Sequence, residues 1–490
     1  MSGEKVEKKK ISPSLIIAVI IIIILLAALV YYATLPPKVQ VVPTTVAAPT
    51  TIVQTVLKTE TLPGTTIVRT EVKTTVQTLV TTAPRTEAPL LEIYHWWTSG
   101  GEKAAIDALV EVFKKRYPEV GVIQSPVAGG AGYVMKAVMK SLVLAGEAPD
   151  AFQLHAGYEM LPYVKGEYLD PIDDLWKEEK WEEVFPAVVR DMVNWYGHYY
   201  AVPVNIHRVN VVWYNKPILD RYGIDPTTLT TWDKFFEACD TLKARGITYP
   251  IAMGGIGKWE IAHAFEQIIA SEGIEFYEDF VNGKITSPDD PKLRHALEIF
   301  RRYLEYVNPD YSALTWDQAV AKVIRGESAF NIMGDWANGE FYVAKKEYGK
   351  DYGTFPVPGT SGMYGLCIDC FEHPKGVKHP TNSYKWLRVV GSKEGQDTFN
   401  PIKGSIAARI DADVTKYGPY QRAAIEDFKT AKYMYPSVVH GSGMPEAFSA
   451  KFNDIMSKFA TTRDIAATAK EITDAIIAAK ADFVKTWKLH

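Results

Sequence analysis

Between Leu90 and Gly157 the chain alternates two kinds of apolar pattern, and that alternation limits the folds open to it. "LLEIYHWW" reads as a strand. "EKAAIDALVEVFKKRYPEV" places Ile106, Leu109, Val110 and Phe113 at helical spacing and stops at Pro118. "VGVIQSPVAG" reads as a second strand, "GYVMKAVMKSLVLAGEAPD" as a helix ending near Gly146, and "AFQLHAG" as a third strand. Strand, helix, strand, helix, strand predicts a parallel α/β sheet with right-handed crossovers. Ligands of such sheets sit at the carboxyl ends of the strands. Those ends carry Trp96 and Trp97, then Gly129 and Gly130, then Gln153 with His155. These residues form the first candidate site.

The globular pattern runs from Leu90 to His490, about 400 residues, more than one hydrophobic core usually serves. The 490-residue chain is 47% hydrophobic and 23% charged, an ordinary globular balance. A net charge of -4 supplies no basic footprint for nucleic acid. With 10 histidines and 3 cysteines, neither a disulfide framework nor a cysteine zinc cluster is indicated, and no metal or cofactor is expected. "CIDC", Cys367 to Cys370, has redox spacing without thioredoxin context, so an incidental pair or an extracellular disulfide is the preferred reading.

Two segments precede the globular part. Residues 1–36 hold Lys5, Lys8, Lys9 and Lys10, then "SLIIAVIIIIILLAALVYYATL". About 20 uncharged apolar residues suffice to span a bilayer. Lysines before such a run place the short tip in the cytoplasm and the remainder outside. The expectation is a single-pass anchor in the cell membrane with an extracellular binding domain. The alternative is a cleaved signal, which the length of the run and the lack of a nearby A-x-A site disfavour. Residues 37–89 are rich in Thr, Val and Pro and carry no aromatic residue, which suggests a disordered stalk. No Asn-x-Ser/Thr acceptor occurs in the chain.

Catalytic signatures are missing. The sequence has no G-x-G-x-x-G, Walker A loop, G-x-S-x-G or H-E-x-x-H, and no spacing singles out a pair of carboxylates for glycoside hydrolysis. Binding is the better expectation. Trp259, Trp316 and Trp336 fall in polar surroundings. An indole offers a flat apolar face with a donor at its edge. A pyranose offers C–H groups on one face and hydroxyls at its rim, so stacking serves the face while Asp, Gln, His and Lys serve the rim.

Longer stretches carry a resemblance: "HWWTSGGEKAAIDALVEVFKKRYPEV", "VAGGAGYVMKAVMKSLVLAGEAPDAFQLHAG", "YAVPVNIHRVNVVWYN", "GESAFNIMGDWANG", "WLRVVGSKEGQDTFNPIKGSIAAR" and "VVHGSGMPEAF". From about residue 90 the chain resembles the extracellular solute-binding subunits of ABC sugar importers, most of all the glucose/galactose/mannose-binding proteins of thermophiles. The resemblance implies an α/β, two-lobed periplasmic-binding-protein fold (type II) with an interlobe hinge. Lobe 1 would take residues 90–203 and 338–392, and lobe 2 residues 204–337 and 393–490. It implies sugar contacts from Trp96, Trp97, Gly129, Gly130, Gln153, His155, Trp259, Trp316, Gly334, Asp335, Lys403 and His440, with His207 at the crossing between lobes. It also implies a monosaccharide ligand (glucose, galactose or mannose), partnership with ABC permease subunits, and a monomeric chain that is not an enzyme. The region near Trp259 departs from relatives, which leaves the sugar open. A disaccharide receptor and, further off, a surface-anchored glycoside hydrolase remain as alternatives.

Overall fold

The structure is a computed structural model that describes residues 50–62, 65–77 and 89–489. The expected membrane helix in 1–36 lies outside those residues. Among them, no helix is long and apolar enough to cross a membrane. Part of the predicted disordered stalk is instead a hairpin. Thr50–Leu62 and Thr65–Gln77 pair antiparallel in continuous register, from Thr50 opposite Gln77 to Leu62 opposite Thr65. Alternating β-branched Thr and Val favour strands, and Pro63-Gly64 between the two is turn chemistry. The remainder of 37–89, Pro89 apart, lies outside the described residues. Glu87–His490 forms a compact unit of its own.

That unit is built as the alternation predicts. Leu90–His95 is a strand flanked in parallel by Gly121–Pro126 and Ala151–His155. The helix Gly100–Arg116 packs Ile106, Leu109, Val110 and Phe113 into the core. It ends on Lys114, Lys115 and Arg116, cations that suit the negative end of its dipole. The sheet is mixed rather than wholly parallel. Asp369–Glu372 adds antiparallel to Ala151–His155, and Ala201–Pro203 adds antiparallel to Asp369–Glu372.

A second lobe holds two small sheets. Phe330–Ile332, Val211–Asn215 and Tyr352–Pro356 form one. Tyr433–Pro436, Met363–Cys367 and His207–Arg208 form the other. The chain therefore leaves the first sheet after Pro203 and returns to it at Asp369, only two residues after Cys367. The two crossings run side by side: Val204 N–H donates to Asp369 O (2.9 Å), and Ile206 exchanges backbone hydrogen bonds with Ile406. The return was expected at 338. Strand pairing corrects this, because Tyr352–Pro356 and Met363–Cys367 satisfy their backbone groups in second-lobe sheets. The helix Lys393–Lys403, expected in lobe 2, packs on Gly100–Arg116 of the first lobe. Cys239, Cys367 and Cys370 are buried free thiols, so the disulfide reading of "CIDC" does not hold. Cys370 Sγ donates instead to Leu154 O (3.3 Å) and Glu372 Oε1 (3.0 Å).

Candidate functional site

A cavity of about 280 Å³ lies between the lobes beside the crossings. Trp96, Trp97, Trp259, Trp316 and Trp336 supply its aromatic walls, with Glu102, Ala131, His155, His207, Asp369, Lys403 and His440 among them. Helix starts place many of these groups. Glu102 sits in the first turn of Gly100–Arg116. Trp259 and Trp316 are the first residues of the helices Trp259–Ser271 and Trp316–Arg325, and Trp336 immediately precedes Ala337–Val343. The second of these starts is fixed by a capping box, in which Thr315 N–H donates to Gln318 Oε1 at 3.0 Å.

The two adjacent tryptophans face different neighbours. Trp96 packs against His155 with centroids 4.8 Å apart, and Trp97 packs against Phe399 at 4.9 Å. Both rings also wall the cavity. Lys403 Nζ lies 6.0 Å from the centroids of both Trp97 and Trp336, within cation–π range. It also pairs with Glu102 Oε1 at 2.9 Å, both side chains being buried.

One carboxylate anchors the polar side. Asp369 Oδ1 accepts from Gln153 Nε2 (3.0 Å), and Oδ2 accepts from Asn205 Nδ2 (2.7 Å) and His207 Nε2 (3.0 Å). Burial opposes its charge, yet His207, Lys403 and His155 hold its pKa well below the usual carboxylate range. His207 Nδ1 meets Asp335 Oδ1, so each ring nitrogen faces a carboxylate. Burial and Lys403 oppose protonation of His207, but Asp335 and Asp369 outweigh them and raise its pKa.

Several expected contacts need correcting. Asp335 is fully buried and does not line the cavity. Its Oδ1 engages His207, and its Oδ2 accepts from Arg208 N–H at 3.0 Å. It holds the histidine rather than a ligand. Gln153 likewise acts behind the wall, bridging Trp96 N–H (3.1 Å) and Asp369. Gly334 seats an indole: a Cβ there would lie 2.3 Å from the Trp336 ring. Gly129 and Gly130 line a neighbouring cavity, and a Cβ on Gly130 would stand 2.6 Å from Trp316 Cδ1 and 2.9 Å from Trp259 Cζ2. Gly130 thus lets a first-lobe loop touch second-lobe tryptophans. Gly130→Ala is expected to weaken solute binding about tenfold by holding the lobes apart, read by calorimetry; unchanged affinity would show that the contact does not matter for closure.

Trp96, Trp97, His155, His207, Trp259, Trp316, Lys403 and His440 do converge as expected. Glu102, Asp369 and Trp336 complete the wall and were not among the expected contacts. Trp336 follows Asp335 in "GDW" and its polar setting was visible, but nothing in the sequence marks Glu102 or Asp369 among 58 acidic residues.

The histidines also set an acid limit on stability. Burial lowers the pKa of His263 from 6.5 to about 3. A base with a depressed folded pKa is neutral in the native state while the unfolded chain takes up its proton below 6.5. Stability from this group is therefore present above pH 6.5 and lost as pH falls toward 3. Between pH 7 and 5 the loss is about 2 kcal/mol. Denaturant unfolding at both pH values, compared with His263→Gln, should show a smaller pH dependence in the variant.

An aromatic cage between two hinged α/β lobes, with polar groups from both, defines a solute receptor of the two-lobed periplasmic-binding type. This chain belongs to the bacterial extracellular solute-binding protein family, whose model matches residues 97–397. It is 47% identical over 405 residues to an uncharacterised ABC transporter extracellular-binding protein of Pyrococcus horikoshii, covering 81% of this chain and 90% of the relative. It is 34% identical over 387 residues to the "Probable sugar-binding periplasmic protein" of Rhizobium meliloti, covering 78% and 91%. Among solved structures it resembles the bacterial solute receptor AcbH, described as preferring β-D-galactopyranose exclusively. The TM-score is 0.71 at 18% identity, covering 81% of this chain and all of the other.

Proposed function

We propose that this protein is the sugar receptor of an ABC importer and closes its lobes over one pyranose monosaccharide, glucose or a close epimer, for delivery to the permease. The observation that carries the reading is a small, aromatic-walled cavity with buried polar atoms left unpaired. Trp97 Nε1 and Trp259 Nε1 are buried donors without a partner among the described residues. Leaving a buried donor unpaired costs about 1–3 kcal/mol, which a ligand hydroxyl would recover. Asp369 and Lys403 offer charge-assisted bonds, about twice as strong as neutral ones. The space enclosed by these side chains is small, which favours a single ring over a longer saccharide. The relatives' names and the galactopyranose receptor support the sugar class.

Titration calorimetry of the compact unit Glu87–His490 against monosaccharides and their disaccharides tests this. One monosaccharide should bind with unit stoichiometry and quench tryptophan fluorescence. If none binds, the sugar reading fails. Small-angle scattering should show a smaller radius of gyration with sugar, because hinged lobes close around their ligand and the lining side chains are buried in the arrangement described. We further propose that the apolar run in 1–36 holds the receptor on the outer membrane face. Deleting 1–36 should release it from membranes with sugar affinity unchanged.

A second reading, a disaccharide, is favoured by a specific observation. A cavity of about 720 Å³ adjoins the first and shares Trp96, Glu102 and Trp316 with it. Glu260 lines it, its Oε2 is buried without a partner, and burial raises its pKa to about 8. If a disaccharide binds at least tenfold tighter than its component sugars, and Glu260→Gln removes that advantage alone, the second reading stands.

A further inference from the structure

At one side of the cavity three ligand-type side chains meet that the sugar reading does not use together. His155, Cys367 and His440 each bring one such atom to within 4.8 Å of the others, and all three are buried. They arrive from separate elements. His155 ends the strand Ala151–His155, Cys367 ends Met363–Cys367 where the chain crosses between lobes, and His440 follows Tyr433–Pro436. Their spacing along the chain therefore shows no metal motif.

The hydrogen bonds of the three leave the meeting point open. Glu159 Oε2 lies 2.8 Å from His155 Nδ1, which puts the proton there and the lone pair on Nε2. That Nε2 lies 3.7 Å from Asp369 Oδ1, beyond a hydrogen bond. His440 Nε2 is 3.2 Å from His263 Nδ1, while His440 Nδ1 has no partner among the described residues. Cys367 is a free thiol. A carboxylate holding the far nitrogen of a histidine is the arrangement that orients metal-ligating imidazoles. Glu159 is itself fixed by Lys136 at 2.8 Å.

We propose that His155 Nε2, Cys367 Sγ and His440 Nδ1 bind one zinc-class divalent cation. Two imidazoles and a thiolate are a donor set such ions take in tetrahedral geometry, at about 2.0–2.1 Å for nitrogen and about 2.3 Å for sulfur. The three atoms would draw in by roughly 1 Å from their widest separation to reach those distances. Binding displaces the thiol proton to solvent as the sulfur–metal bond forms, and the carboxylates of Glu159 and Asp369 offset the added charge. His155 and His440 line the cavity whereas Cys367 does not. The fourth coordination position thus faces the cavity, where water or a ligand oxygen completes it. The site rests on these side chains and not on the identity of the solute.

The full chain, stripped with a chelator and dialysed, is titrated with Zn²⁺ and separately with Co²⁺. One equivalent should bind, Co²⁺ should show a thiolate-to-metal charge-transfer band, and the thermal midpoint should rise. Affinity should fall at lower pH as the ligands take up protons. Cys367→Ala should remove the band and weaken binding at least 100-fold, and Glu159→Gln should weaken it about 10- to 100-fold. Cobalt bound to the wild type without a thiolate band overturns the proposal, even if Cys367→Ala fails to fold. So does the absence of stoichiometric metal, or equal binding by wild type and a folded Cys367→Ala. Sugar calorimetry on the chelator-treated protein is a separate readout: binding there with no metal site, or a metal site with no sugar binding, sinks one reading and spares the other.

Discussion

Replacing Asp369 with Asn should cut sugar affinity about 30- to 1,000-fold, equivalent to about 2–4 kcal/mol. A carboxylate accepts about four hydrogen bonds. Gln153, Asn205 and His207 occupy three of those positions, which leaves one for a ligand hydroxyl. An amide NH₂ would face a donor at one of these contacts and would remove a counter-charge of His207. Asp335→Asn is the comparison, since Asp335 reaches the cavity only through His207. Its affinity loss should be about tenfold, with most of its effect on stability. Calorimetry and urea unfolding of both variants separate the two roles. If Asp369→Asn lowers stability but leaves the affinity of the folded protein within threefold, Asp369 only braces the crossing strands.

Replacing Lys403 with Met should destabilise the protein by about 3–5 kcal/mol, the cost of leaving a buried ion without its partner. Glu102 is only 6% exposed in the first turn of its helix, so water would replace the lost ammonium poorly. The double variant Lys403→Met, Glu102→Gln should recover most of the loss, because it removes the stranded charge. Urea midpoints of the two singles and the double form a cycle that measures the coupling. Equal loss in the single and the double would mean that Lys403 stabilises by packing against Trp97 and Trp336 alone. Sugar affinity should stay reduced in the double variant, which lacks both charges on the cavity wall.

Much of the receptor was legible in the sequence because its cues are local. The strand–helix alternation from Leu90 follows from residue periodicity, and the tryptophan pair marks a strand end whatever the remainder of the chain does. The short matching stretches placed most of the cavity residues for a similar reason: these side chains sit at strand ends, helix ends or turns with local sequence signals of their own. Asp335 was misjudged because a carboxylate in a tight turn looks the same from the sequence whether it faces a ligand or a histidine. Two segments of the expected stalk, 50–62 and 65–77, pair as strands because β-branched alternation outweighs composition there.

By itself, then, the sequence determined the element order from Leu90 to Gly157 and placed Trp96, Trp97, Trp259 and Trp316 in the aromatic cage, and its resemblance pointed to a sugar as solute. Tertiary structure decided which lobe each returning segment joins, because strand pairing is settled by partners distant in the chain. It decided that Asp369 faces the cavity while Asp335 faces His207, since carboxylates take the donors that a closed, water-poor interior leaves them. It also brought together His155, Cys367 and His440, more than 280 residues apart at their extremes. Spacing could not reveal that cluster, because three separate elements meet only where the lobes cross.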